Sequence, residues 1–240
     1  MEKRIEEAIQ TANYTALSSI LNGESGSNSS QGEQRSLAAF FIKAAVTSST
    51  FLPAAFSSPQ ALLFMTRALS NLPSIVENAA DNALRELLFE FYVEQENYRE
   101  AAAILVNKRM EDMDENSVYY TPAHLKCDSY VRIAECFLEG DDIVEAEGAV
   151  TRAGTALEKI SDVDTHITLI LRYKSTYARV LDANRKFLQA ANRYYDLSKA
   201  GSQTDVIAED DLLMMLGRAC TCAILSPTGP QRQRLLDSVR

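Results

Sequence analysis

The chain is poor in the residues that carry most catalysis and metal binding. It has two histidines, His124 and His166, and four cysteines, Cys127, Cys136, Cys220 and Cys222, in 240 residues. The histidines lie 42 positions apart in sequence, so no His-x-His pair or two-histidine helix face offers a catalytic metal its ligands. His124 and Cys127 fall one helical turn apart and Cys136 follows nine residues later, but no second pair completes a four-ligand zinc site. Cys220 and Cys222 point away from each other on an expected helix and read as core filler. The sequence also lacks Gly-x-x-x-x-Gly-Lys-Ser/Thr, Gly-x-Gly-x-x-Gly and Gly-x-Ser-x-Gly, so phosphate cradling and a hydrolase elbow have no support. Carboxylates are abundant enough that neighbours such as Asp141 and Asp142 carry no information on acid–base chemistry. The expectation is a non-enzyme with no metal and no cofactor.

Long hydrophobic runs and a secretory leader are missing as well. The uncharged stretch from Ala44 to Thr66 reaches membrane length, but Pro53, Pro59 and several hydroxyl residues interrupt it. The opening MEKRIEEAIQ has no apolar segment behind its charges. Four cysteines fit reduced thiols better than a disulfide frame, so a cytoplasmic and nuclear location is expected and no membrane is involved. Nine glycines and six prolines, with 46% hydrophobic and 24% charged residues, rule out collagen-like and disordered chains.

Charge is unevenly spread. The net charge is −9, yet Glu77 to Asp164 holds 21 acidic and 8 basic residues, whereas Arg172 to Lys199 holds seven basic residues against Asp182 and Asp196. An acidic chain with so small a basic excess is not a nucleic-acid binder. The two segments read either as solvated helix faces or, more sharply, as a docking patch for an acidic protein surface carried by Arg179, Arg185, Lys186 and Arg193.

What is present is a repeat. EFYVEQENYREAAAIL from Glu90, ECFLEGDDIVEAEGAV from Glu135 and RVLDANRKFLQAANRY from Arg179 align without gaps, with Ala101, Ala146 and Ala190 in register at spacings of 45 and 44. Tyr98, Ile143 and Phe187 stand three residues before these alanines, and short polar breaks precede them. Each unit reads as helix, tight turn, helix. Leu84, Leu87, Leu88, Phe91 and Tyr92 repeat at i, i+3, i+4, i+7, i+8, and no strand-like alternation competes. The small aligned alanines let paired helices approach closely. These are tetratricopeptide-like units of unusual length. Thr121-Pro122 and Ser58-Pro59 look like N-cap and first-turn pairs, residues 22–36 like a flexible polar loop, and Gly229-Pro230 like the start of a last helix. That helix lacks a polar outer cap, so a longer protein is expected.

The third unit is the most specific. Tyr173-Lys174, Tyr177-Ala178-Arg179-Val180-Leu181-Asp182, Arg185 through Ala191, Arg193-Tyr194-Tyr195 and Leu197-Ser198 resemble the subunit-four family of the COP-nine signalosome, a PCI family. Cys220 through Leu225 and Gly229 through Leu236 are similar to the family's stretch before its winged helix, and Ile133 to Ala153 resembles it more weakly.

The resemblance implies an all-α fold: tetratricopeptide-like repeats in a right-handed solenoid arm, ending at the start of a truncated PCI domain without its winged helix. Residues 1–80 would form N-terminal helices, 81–170 the repeats, and 171–240 the last repeats and the beginning of the PCI bundle. It implies a non-catalytic scaffold and substrate-sensing subunit of the complex that removes Nedd8 from cullin-RING ubiquitin ligases. Partners would be other signalosome subunits, the cullin and the RING subunit. A PCI subunit of the proteasome lid and a free-standing repeat adaptor that clamps carboxyl termini are the competing readings; the acid-rich first repeats disfavour the clamp. For Tyr173, Tyr177, Phe187, Tyr194 and Tyr195, inter-helix packing is the expected role.

Overall fold

A computed structural model describes residues 2–11, 13, 16–17, 37, 40–41, 43–45, 78–108, 110, 120–202 and 207–239. The expected loop at 22–36 and the Ser58-Pro59 helix start lie outside the described residues. Among those described, every regular element is a helix: α1 (Glu2–Gln10), α2 (Asn78–Glu94), α3 (Tyr98–Val106), α4 (Ala123–Glu139), α5 (Ile143–Leu157), α6 (Ile167–Ala183), α7 (Phe187–Ser202), α8 (Glu209–Leu225) and α9 (Pro230–Val239). The chain divides into two compact units, Met1–Tyr120 and Thr121–Arg240, and the division falls inside the stretch 81–170 read from the sequence as repeats.

The repeat is exact in its helices. The leading helices α2, α4 and α6 are each 17 residues long, and Tyr98, Ile143 and Phe187 open α3, α5 and α7. The turn between each pair is the same device. Glu96, Asp141 and Arg185 adopt left-handed backbone at φ of 58°, 57° and 58°. Behind each, an N–H reaches back five residues, from Asn97 to the Tyr92 carbonyl, Asp142 to Phe137 and Lys186 to Leu181, at 2.9, 2.8 and 2.9 Å. The left-handed residue itself donates to the carbonyl three residues earlier, at Val93, Leu138 and Asp182. This doubled closure absorbs the carbonyls that a helix end leaves open, and it reverses the chain in three residues.

Helix starts follow local chemistry less strictly. The Asp142 carboxylate accepts a long 3.5 Å bond from the Glu145 N–H at the start of α5. At α4 the sequence places Thr121 as cap and Pro122 as first helical residue, but Pro122 itself is the cap, extended at ψ 148°, and no side chain caps the helix. The shift is one residue. Proline disfavours helical backbone for the residue before it, and the helix starts just beyond Pro122.

In the first unit α2 pairs with α3, and α1 buries Ile5, Ala8 and Ile9. Arg85 of α2 is 2% exposed and donates from Nη1 to the Ile104 carbonyl at 2.9 Å, setting a cation at the C-terminal end of α3. In the second unit α4 pairs with α5, α6 packs on both, α7 pairs with α6 and α8, and α9 closes on α8 and α7. Ala101, Ala146 and Ala190 are fully buried, as their register requires. Gly154 of α5 meets Tyr173 of α6 so closely that an added Cβ would lie 2.7 Å from the tyrosine hydroxyl. The larger core joins Leu171, Leu181, Tyr194, Leu197, Cys222 and Leu235, with Tyr177, Phe187 and Tyr195 against it; Tyr173 packs on a second cluster around Cys127 and Val131. The five aromatics of the third unit are therefore packing residues, as expected. No helix among the described residues is long and apolar enough to cross a membrane.

Candidate functional site

The basic segment forms α6 and α7, and its cations face the carboxylates of the preceding repeat. Because α6 packs on α4, charged residues along the two helices meet in sequence order. Arg172 makes a two-bond pair with Glu135, Nε to Oε1 at 3.0 Å and Nη2 to Oε2 at 2.5 Å, and reaches Asp128 at 3.3 Å. The Thr176 hydroxyl, buried beside it, donates to the same Glu135 oxygen at 3.1 Å. Glu135 holds the Arg172 guanidinium above its ordinary pKa, against the opposing effect of burial. One turn further along α4 and two turns further along α6, Arg179 pairs with Glu139 at 2.5 Å. At the α6–α7 turn, Lys186 takes Oε1 of Glu147 at 2.6 Å and Asn184 takes Oε2 at 2.9 Å.

The four candidate docking residues thus have different surroundings. Arg179 and Lys186 are engaged with Glu139 and Glu147. Arg193 is exposed, with its guanidinium carbon 5.4 Å from the Tyr177 ring centroid. Arg185 is exposed on the left-handed turn residue, held out by the backbone. They share the α6–α7 hairpin. The charge asymmetry along the sequence is, in part, one repeat complementing the next. Such exposed pairs are individually worth about 0.2–1 kcal/mol, so they set register between repeats more than they hold the fold together.

The histidines are not distant in space. His166 precedes α6 and His124 lies in the first turn of α4, and their rings stack with centroids 4.6 Å apart and planes 14° from parallel. Stacked imidazoles present faces, not nitrogens, to each other, and among the described residues no group of three or more His, Cys, Asp or Glu could hold a metal ion. All four cysteines are free thiols. Burial, with Asp128 for Cys127 and Glu135 for Cys136, pushes those two thiols up to about 11. Burial, aided by Asp182, pushes Cys222 up to about 12. Such thiols are protonated at neutral pH and are poor nucleophiles.

The sequence reading missed one polar feature. Leu138, Arg179, Asp182, Ala183, Tyr194 and Arg218 line an open cleft of about 340 Å³ in the second unit. Its residues come from α4, α6, α7 and α8, and no spacing along the chain announces that meeting.

Comparisons with known proteins agree with the repeat. A family model described as PSMD12/CSN4, N-terminal, matches residues 74–210, the stretch that contains all three helix pairs. The chain is 35% identical over 156 residues to COP9 signalosome complex subunit 4 of Dictyostelium discoideum, covering 65% of this chain and 36% of that protein. It is 35% identical over 163 residues to the Arabidopsis thaliana protein of the same name, at 65% and 38% coverage. For that of Emericella nidulans the identity is 33% over 159 residues, at 66% and 36%. The chain spans little more than a third of the length of these curated relatives. With more than half of its residues inside the family model, and with the helix pairs that the model's stretch encloses, the chain belongs to the PSMD12/CSN4 N-terminal family.

Proposed function

We propose that the chain is a non-catalytic scaffold and substrate-sensing part of a signalosome subunit, in a complex that removes Nedd8 from cullin-RING ubiquitin ligases. The observation that carries this reading is its similarity to signalosome subunit 4 of several organisms over about two-thirds of its length. The chemistry of the chain supports the non-catalytic part. Isopeptide hydrolysis needs an activated water or nucleophile, and protonated thiols with a stacked histidine pair supply neither. Catalysis is then left to another subunit. Stacked helix pairs offer a long surface of many shallow contacts, which suits a scaffold that must hold other signalosome subunits and meet the cullin and RING subunit. The α6–α7 hairpin, with Arg185 and Arg193 exposed and Arg179 and Lys186 beside them, is the proposed docking face for an acidic partner surface. Cytoplasm and nucleus are the proposed locations.

Affinity purification of the full-length protein, with its companions identified by mass spectrometry, tests this reading. Recovery of signalosome subunits supports it. Recovery of proteasome-lid subunits, or of no stable assembly, replaces it with a lid subunit or a free-standing peptide adaptor.

A further inference from the structure

Helix α8 is apolar on two faces, and only one of them is covered. Ala219, Cys222 and Ala223 are buried, and with Met215 they join the core that α7 completes. The other face carries Leu213, Gly217, Cys220 and Ile224 at spacings of four, three and four, the pattern of a helix–helix seam. Leu213 is 62% exposed and Ile224 61%, Met214 and Leu225 lie along one side of the stripe at 52% and 57%, and Cys220 is half-buried. Four of the nine exposed large hydrophobic residues among those described thus lie on this one helix. At the middle of the stripe, Gly217 has open space where a Cβ would stand, so a second helix can come close there. Thr221 beside it donates its hydroxyl hydrogen to the Gly217 carbonyl at 2.9 Å, so covering this face strands no hydroxyl.

We propose that this face pairs with the same face of a second copy of the chain, the two α8 helices running antiparallel about a two-fold axis. An axis between residues 218 and 219 sets Leu213 opposite Ile224 and Gly217 opposite Cys220, large against large and small against small. Charge selects the direction. The first turn of α8 exposes Glu209, Asp210 and Asp211, and at its far end Arg232 of α9 donates from Nη1 to the Ser226 carbonyl at 3.3 Å. Antiparallel pairing sets Asp211 of each copy opposite Ser226 of the other, so each acidic turn meets an arginine and the helix dipoles oppose. Parallel pairing would instead bring the two acidic turns together and align the dipoles. One face therefore supplies both halves of its own complement. This inference does not depend on which complex the chain joins.

The test is sedimentation equilibrium of the 240-residue chain over a range of concentrations. A small seam of this kind gives a weak dimer, so the mean mass should climb from one copy towards two between about 5 and 500 μM. Gly217→Lys should weaken association by about tenfold or more, because it sets a charge at the point of closest approach. The same change should raise the unfolding midpoint of the single chain by about 3 °C, since glycine is a poor helix former and open space receives the new side chain. Lost association in a stabilised variant is not a folding defect. Direction is read with a short bismaleimide in a Cys220→Ser background, where the remaining thiols are buried. Leu213→Cys mixed with Ile224→Cys should crosslink between copies. Leu213→Cys alone should not, because its two sulfurs would lie about 16 Å apart along the helix axis. A single-copy mass at every concentration overturns the proposal and leaves the face to a different protein. Association that Gly217→Lys does not weaken, or that grows without limit past two copies, also overturns it. Crosslinking of Leu213→Cys to itself as readily as to Ile224→Cys overturns the antiparallel pairing.

Discussion

Arg172 and Glu135 are joined by two parallel hydrogen bonds across 37 positions of sequence, and that pair ties the third repeat to the second. Glu135 is the more buried partner, at 25% side-chain exposure against 44% for Arg172. It also accepts from Thr176, so removing the arginine leaves a half-buried carboxylate with one neutral donor. A double-mutant cycle of Arg172→Ala and Glu135→Ala, measured by urea unfolding, should give a coupling of about 0.5–1 kcal/mol. The coupling should shrink in 1 M salt, where screening acts over about 3 Å. A coupling indistinguishable from zero at low salt would show that the repeats are registered by apolar packing alone.

The turn residues give a prediction of opposite sign. Glu96, Asp141 and Arg185 hold left-handed backbone that L-residues disfavour and glycine accepts freely. Asp is the most tolerant of the three, through its short polar side chain. Glu96→Gly should therefore stabilise the chain by about 0.5–1 kcal/mol, and Asp141→Gly by less. Chemical denaturation of the two variants beside the parent ranks them; a destabilised Glu96→Gly would mean that the side chain holds the turn by contacts stronger than its backbone strain.

The buried thiols link stability to alkaline pH. Cys127 and Cys136 ionise near 11 in the folded chain and near 9 as free thiols, so the unfolded state loses their protons first as pH rises. Their contribution is intact below about pH 9 and is lost as pH climbs through 9 to 11. Unfolding midpoints should fall across that window and the fall should lessen in Cys127→Ala. At pH 8 the folded thiols hold about a hundredfold less thiolate than free cysteine, so iodoacetamide should modify them far more slowly in native protein than in urea. Equal native and denatured rates would contradict the burial.

Docking is best tested where the cations are not already engaged. Reversing Arg179 or Lys186 would set a new carboxylate against Glu139 or Glu147, so lost binding could reflect a loosened repeat interface. Arg185→Glu combined with Arg193→Gln avoids that pairing. The double variant should keep its helix content and slow association with signalosome or cullin partners, with the effect fading as salt rises. Surface plasmon resonance at two ionic strengths reads both rates; unchanged association at low salt would return the hairpin to the role of a solvated face.

Much of this architecture is legible along the chain, for a local reason. The alignment of Ala101, Ala146 and Ala190 marks three buried contacts, and Tyr98, Ile143 and Phe187 mark three helix starts. Both follow from helical periodicity and from turn geometry that spans only a few residues. The α4 cap moved by one position, because local capping preference is weak beside the backbone restriction of an X-Pro step. His124 and His166 illustrate the opposite case. Separation in sequence suggested independent residues, whereas the packing of α6 on α4 stacks their rings.

The sequence by itself therefore determined the helices, their pairing into repeats and the family, because each rests on periodic burial and on chain reversal within a few bonds. Only the tertiary structure decided which charges meet. Arg172 with Glu135, Lys186 with Glu147, and the cleft that gathers Tyr194 and Arg218 depend on how one helix is rotated and shifted against the next. That rotation is set by the summed packing of many side chains such as Gly154 against Tyr173. No spacing within a single helix encodes it.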